Sequence, residues 1–300
     1  MKLVGLLLVF VATWGGFLMA AGIEHGLAII MGVIAKAFLP EFIIIMGCAF
    51  AAFLIGNSMH TIKSAGAGVM CLIKPEAHNK KSYIELLSML YTIFKMVKSK
   101  GWLSIEQHIE NPHESDVFKQ FPEFYANHHA TVFLCDYLRI ISLGNEDARI
   151  IEGLLDEEIE TITQSEMHAG HAVQAMADGI PALGIVAAVL GVIKTMASIN
   201  EPPSVLGKMI GSALVGTFLG VWLSYAMIAP LATAINGKAE TVIMYYKCIK
   251  VCIIAFLNGT APQVAVEFGR KFLPHDVQPT FQELEEAINN LGQPAGGGGG

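Results

Sequence analysis

Four stretches of this chain are long and apolar enough to cross a hydrocarbon core of about 30 Å, which excludes most soluble architectures before any motif is read. From Leu3 to Ile23, about twenty-one residues pass without a charged or histidine side chain, a span-length run at 1.5 Å per residue. A secretory leader is the rival reading, with Lys2 in front and Met19-Ala20-Ala21 as the cleavage site, but leader cores usually hold only about 7–15 apolar residues. The second stretch begins around Phe38 and runs through Ile43, Ile44 and Ile45 to Ile55, with Pro40 and Glu41 at its start. The third runs from Ile180 to Ile193 and continues past Lys194 to Ile199, the lysine stem reaching towards the headgroups. The fourth, Met209 to Ile235, is about twenty-seven residues without a charge and is predicted to tilt or to project beyond the bilayer.

Composition agrees with these spans. Hydrophobic residues make up 53% of the chain and charged residues only 15%, against roughly 25% charged in soluble domains. The thirty glycines suit membrane helices whose backbones approach closely. A net charge of −7 argues against nucleic acid as a partner, since that demands a basic surface. Five cysteines with no C-x-x-C give neither a disulfide framework nor a zinc cluster.

The lysines orient the spans. Lys63, Lys74, Lys80 and Lys81 follow the second, and Lys238, Lys247 and Lys250 follow the fourth, whereas the other connections hold only Lys36 and, at their margins, Lys194 and Lys208. Basic residues favour the cytoplasmic side, so both termini and the long insertion are expected there. The fold class is therefore all-α: a polytopic membrane protein with four transmembrane helices and a helical cytoplasmic domain. Its expected divisions are 1–59 for the first two spans, 60–178 for the cytoplasmic domain, 179–237 for the last two spans and 238–292 for a cytoplasmic helix and tail. Residues 293–300, ending in five glycines, read as a linker or expression scar.

Within the insertion, Ile84, Leu87, Leu90, Tyr91, Phe94 and Val97 recur at helical spacing with Lys95 and Lys98 opposite, and Gly101 ends that helix. Ser104 and Gln107 form a capping-box pattern for a second helix reaching Glu110, which Asn111-Pro112 breaks. Pro122 interrupts an aromatic segment, and residues 128–142 and 146–167 are again helical in period. Beyond the fourth span, Ala239 to Phe256 is expected to continue the helix.

Apart from Lys194, the spans are expected to hold no charged residue and no histidine. Since intramembrane ionisable groups mark ion pathways, either the chain conducts nothing or a partner supplies the titrating group. Gly184, Ala187, Ala188 and Gly191 in the third span, with Gly216, Gly220 and Ser224 in the fourth, form small-residue rows for close helix contact. Thr217 either bonds the carbonyl one turn back or lines a polar path. Pro181, placed at the start of the third span, and Pro230, late in the fourth, mark a helix start, a bend or an ion-responsive hinge. Asp178 reads as a helix N-terminal cap before Pro181. Lys98 and Glu106, either side of the Gly101 turn, are solvated charges on their own merits. The acidic run 156–160 is a solvated face or a docking surface. Glu166, His168 and His171 imitate a metal spacing that nothing else completes. With no phosphate loop, nucleophile elbow or paired intramembrane carboxylates, the chain does not read as an enzyme and implies no cofactor.

Several stretches resemble the MotA family of flagellar motor stator subunits. They are Ile109-Glu110-Asn111-Pro112-His113-Glu114-Ser115, Leu155-Asp156-Glu157-Glu158-Ile159-Glu160, Pro181-Ala182-Leu183-Gly184-Ile185-Val186-Ala187-Ala188, Val215-Gly216-Thr217-Phe218-Leu219-Gly220, Ala229-Pro230-Leu231-Ala232-Thr233 and Val266-Glu267-Phe268-Gly269-Arg270-Lys271. The resemblance implies a homo-pentamer in the bacterial inner membrane around two copies of the single-span partner MotB, which carries the intramembrane aspartate. It implies torque from ion flow, with Pro181, Ala188, Thr217 and Pro230 bordering the ion path, and Lys98 and Glu106 engaging the rotor protein FliG. Lys98 stands where the family often has arginine, keeping the charge but losing the planar fork. Sodium-using relatives place a threonine where Ala188 stands, so the coupling ion implied is the proton. The related ExbB and TolQ subunits, with three spans, are the alternative.

Overall fold

The computed structural model describes residues 2–72 and 78–291. Lys74 of the basic count and the tail 293–300 lie outside the described residues. The long helices in chain order are α1 (Lys2–Ala21), α2 (Ile23–Gly56), α3 (Met59–Cys71), α4 (Lys80–Lys100), α5 (Glu106–Glu110), α6 (His128–Ser142), α7 (Ala148–Met196), α8 (Pro203–Leu257), α9 (Pro262–Phe272) and α10 (Phe281–Asn290). Among the described residues there is no strand. Helices α1, α2, α7 and α8 are each long and apolar enough to cross a membrane. The chain divides into two compact units, Met1–Pro75 with Glu166–Gly237, and Glu76–Ser165 with Lys238–Gly300.

In the first unit, α1 ends where Gly22 takes a φ of 78°, a left-handed conformation that side chains disfavour, and the chain turns directly into α2. Helix α2 starts well before the apolar run predicted from Phe38, because Glu24, His25 and Lys36 lower hydropathy without breaking a helix. It passes through a π-helical turn at Ile30–Ile34 and carries Pro40 inside it. Its Ile45 and Ala49 pack with Ile180 and Ala187 of α7 and with Val215, Leu219 and Leu223 of α8. Trp222 joins α1 to this core: its indole N–H donates to Thr13 Oγ1 at 3.0 Å, and its ring meets Phe10 edge-on at 4.9 Å.

The small-residue rows do what their spacing predicts. A Cβ placed on Gly184 would stand 2.9 Å from the Gly216 carbonyl oxygen and 2.9 Å from Gly220 Cα, and one on Gly220 would stand 2.8 Å from Gly184 Cα. The backbones of α7 and α8 touch there, as only glycine permits. Two expectations fail. Helix α7 continues unbroken through Pro181, so that residue does not start a helix; the upstream turns were already helical, and a proline within a membrane helix costs one donor that neighbouring groups can offset. Asp178 is consequently no N-terminal cap: it lies mid-helix and accepts from Gln174 Nε2 at 2.8 Å.

In the second unit, α4 buries Leu86, Leu87, Leu90, Ile93, Phe94 and Val97, while Lys95, Lys98 and Lys100 face outwards. Asn79 caps its start by accepting from Lys81 N and Ser82 N, and Gly101, at φ 77°, ends it as the sequence predicts. The capping box at Ser104 does not form. Trp102–Ile105 is a 3₁₀ turn, and the Ser104 hydroxyl donates back to the Gly101 carbonyl at 2.7 Å, so it does not accept from α5. Helix α9 lies against α4 because Gly269 leaves room for Leu87 and Cys252, and Cys248 Sγ donates to its carbonyl. Buried Arg270 holds Glu267 at 2.8 Å and donates to the Pro279 carbonyl at 3.0 Å, fixing the approach to α10. Thr280 and Glu283 form a capping box there.

His78 is buried face to face with Tyr245, ring centroids 4.1 Å apart, and burial pushes its imidazole down from the ordinary 6.5 to about 4. The unfolded chain therefore binds the proton more readily, so the contribution of neutral His78 to stability is present above 6.5 and lost as pH falls towards about 4. Tyrosine near-ultraviolet dichroism of the purified protein should fade over that interval, and His78→Gln should flatten the profile. Gly184→Val should lower the melting temperature of detergent-solubilised protein, at a cost of about 1–3 kcal/mol for overpacking. Gly66→Ala, where an added Cβ meets nothing within 4 Å, should leave it unchanged.

Candidate functional site

Two places carry the sequence-predicted residues, one in each unit. In the first unit, Ala188 of α7 lies against Gly216 of α8, the residue before Thr217. A Cβ on Gly216 would stand 3.1 Å from the Ala188 backbone nitrogen, and Thr217 is the next residue on α8. Thr217 is half-buried, and no described residue hydrogen-bonds its hydroxyl, unlike Thr195, which donates to the Gly191 carbonyl at 2.9 Å. Pro181 lies half-buried two turns before Ala188 on α7.

Pro230 is exposed and follows a π-helical turn, Ser224–Ile228, which interrupts the α-helical ladder of α8. A proline removes one backbone donor, and a wider turn next to it accommodates the carbonyl left without a partner. Ser224, buried inside that turn, donates to the Ala177 carbonyl of α7 at 2.7 Å. That bond holds the two helices together beside the irregular backbone. The sequence names Ser224 only as a small residue.

The larger correction concerns charge. The spans were expected to hold no carboxylate, yet Glu41 lies inside α2 and is only 8% exposed. Its Oε2 has no hydrogen-bond partner among the described residues. The oxygen fills the space a Cβ on Gly216 would need, 2.8 Å away, and Oε1 lies 3.8 Å from the corresponding position on Gly191. Gly216 thus leaves the space the carboxyl fills, while Gly191 leaves room for Ala213, whose Cβ stands 2.7 Å from where one on Gly191 would be, and only touches the carboxyl. A visible signal existed: Pro40-Glu41 inside an apolar run.

In the second unit, Lys98 is exposed in the last turn of α4 and Glu106 is exposed at the start of α5, across the Gly101 turn. Lys95 and Lys98 line an open groove of about 420 Å³ with Tyr91, Ala261 and Pro262, and the Lys95 ammonium sits 5.7 Å from the Tyr91 ring centre. The acidic run is partly structural. Leu155 and Ile159 are buried, and Asp156 and Glu152 hold Lys250 at 2.6 and 3.4 Å, leaving Glu157, Glu158 and Glu160 exposed. In the stretch 109–115, Glu110 pairs with Arg139 at 2.6 Å and Ser115 caps the next helical turn by accepting from Phe118 N. Glu166, His168 and His171 are exposed, and among the described residues no group of three ligating side chains could hold a metal ion.

Comparisons with known proteins agree over nearly the whole length. The family described as Motility protein A N-terminal matches residues 3–101, and the MotA/TolQ/ExbB proton channel family matches residues 126–247. Motility protein A of Salmonella typhimurium is 38% identical over 97% of this chain and 96% of its own. Motility protein A of Escherichia coli is 37% identical over the same shares, and Chemotaxis protein LafT of Vibrio parahaemolyticus is 30% identical over 95% and 97%. Among solved structures, the flagellar MotAB stator complex from Bacillus subtilis shares the fold with a TM-score of 0.68 at 23% identity, over 91% of this chain and 95% of that one. C. jejuni MotAB does so at 0.63 and 19%, over 79% and 85%.

Proposed function

We propose how this chain works from one premise: it belongs to the motility protein A family, within the MotA/TolQ/ExbB proton channel family. It is a stator subunit of the flagellar motor and a multi-pass protein of the inner membrane, not an enzyme. What carries the reading is the unbroken likeness to Motility protein A over 97% of the chain. Its four apolar helices also count against the three-span ExbB and TolQ arrangement.

The finer mechanism is ours. Several copies of this chain, five in our reading, form a ring around MotB, whose intramembrane carboxylate accepts the coupling ion. Both termini and the second unit lie on the cytoplasmic side. Protons crossing between ring and partner load that carboxylate, and the changed charge turns the ring. Thr217 supports this with a hydroxyl that no described residue bonds, and Ala188, packed against the neighbouring Gly216, offers no side-chain oxygen to a dehydrated metal cation. Pro181 and Pro230 interrupt the backbone ladders of α7 and α8 and give those helices places to flex. Lys98 and Glu106, exposed on either side of one turn, present opposite charges to the rotor protein FliG.

Rotation should be restored when the chain and its MotB are expressed in cells lacking a stator. Swimming should persist in sodium-free medium and stop when the proton gradient collapses; the opposite pattern overturns the ion assignment. Thr217→Val should slow tethered-cell rotation with ring assembly intact by gel filtration. Lys98→Glu should weaken the rotor contact by on the order of 1–3 kcal/mol, roughly ten- to hundredfold in affinity, and a compensating reversal in FliG should restore torque.

A further inference from the structure

Glu41 is the one buried carboxyl among the described residues, the mechanism above does not use it, and its surroundings are unusual for a carboxylate. More than nine-tenths of the residue is withdrawn from solvent, and Oε2 has no partner. A buried carboxylate in a merely structural role is normally hydrogen-bonded or paired within 4 Å. This one is in neither arrangement. The backbone facing it on α8 has instead been cut back to glycine at position 216, where a Cβ would stand 2.8 Å from Oε2, so that the oxygen can occupy the gap.

The charged neighbours are few. Lys36 precedes Glu41 on its own helix, Lys194 on α7 lies within electrostatic reach of it, and the segment of α8 from Pro203 to Leu223 has Lys208 as its only titratable side chain. Helix α1 contributes none beyond Lys2 at its start. The space around the carboxyl is lined by Gly191, Ala187, Gly216 and the Ala188 backbone nitrogen. A hard metal cation needs about six oxygens around it, and this pocket supplies a single carboxyl. A proton needs only one.

We propose that Glu41 is a proton-relay carboxyl contributed by this chain itself, a second ionisable site on the ion path in addition to the partner's. The step balances without any redox change. Glu41 carboxylate takes a proton from hydronium, forming the Oε2–H bond and releasing water. That bond then breaks as the proton passes, past Thr217, to the partner's carboxylate, which becomes the acid while Glu41 returns to carboxylate. Position supports the order of events. At 1.5 Å per residue, Glu41 stands about 22 Å from Gly56 along α2, in the outer half of a core of about 30 Å when Gly56 is at the inner face. This rests on the stator reading and its orientation. Within that reading it assigns to Glu41 the capture of protons from the outside.

The test uses the complete complex in cells lacking other stators. Wild type, Glu41→Gln and Glu41→Asp are each expressed with the partner, and tethered-cell speed is followed against external pH. Without the relay, capture depends directly on free hydronium, so E41Q should lose speed roughly tenfold per pH unit above neutrality, while E41D stays close to wild type. An E41Q profile that tracks wild type at every pH overturns the relay. Failure of wild type to rotate at all would instead overturn the stator reading. Should E41Q fail to assemble, pH-difference infrared spectra of wild-type chain with a partner whose intramembrane carboxylate is an amide decide the matter. A buried-carboxyl band that shifts with isotope-labelled glutamate supports the relay, and absence of such a band removes it.

Discussion

The membrane unit depends on how closely α7 and α8 approach. At Gly184 and Gly220 the two backbones are in contact, with no side chain between them. Inside a bilayer there is no hydrophobic drive to press helices together, so dispersion over a close fit and a few buried hydrogen bonds must do it. The Ser224 hydroxyl on the Ala177 carbonyl is one such bond. Towards the other end of the same contact, Gly191 admits Ala213 while Gly216 leaves a hollow, and Glu41 of α2 occupies it. One row of small residues therefore serves both cohesion and, in our reading, proton handling.

Much of this was legible in the sequence because uncharged length and small-residue spacing are local properties. The four spans, the amphipathic α4 and its stop at Gly101 follow from residues seen one after another. So does the capacity of the third and fourth spans for close contact along their small-residue rows, though which glycine meets which does not. What escaped was decided by neighbours distant in sequence. Glu41 stands at the start of the apolar stretch that opens at Phe38; only the continuous helix from Ile23 and the opposing Gly216 reveal it as interior. Pro181 looked like a helix start because apolar character begins there, whereas the backbone had been helical since Ala148. Ser104 failed as a cap because the backbone tightened into a 3₁₀ turn, which turns its hydroxyl towards Gly101.

The second unit obeys soluble rules. Its core is aromatic and aliphatic, several of its surface charges are paired, and two of its buried ionisable groups, His78 and Arg270, are respectively kept neutral by burial and matched by Glu267. The stretch Val266 to Lys271 owes its character to this framework: Gly269 for close approach to α4, and Glu267 with Arg270 to hold the turn before α10. The acidic run has two roles at once, since Asp156 grips Lys250 while Glu157, Glu158 and Glu160 stay exposed to solvent.

The widened turn at Ile30–Ile34 has an implication for how this sequence can change over time. A π turn holds one residue more than the α-helical path requires, and each residue advances a helix by about 100°. Removing a single residue there would let the ladder close into ordinary α-helix with the phase beyond it kept, whereas removing one from the regular helix between Ala35 and Pro40 would swing everything beyond it by that angle. Glu41 would in the second case point away from Gly216 although no atom of either had been altered. Insertions and deletions upstream of the carboxyl are thus constrained by phase as well as by chemistry.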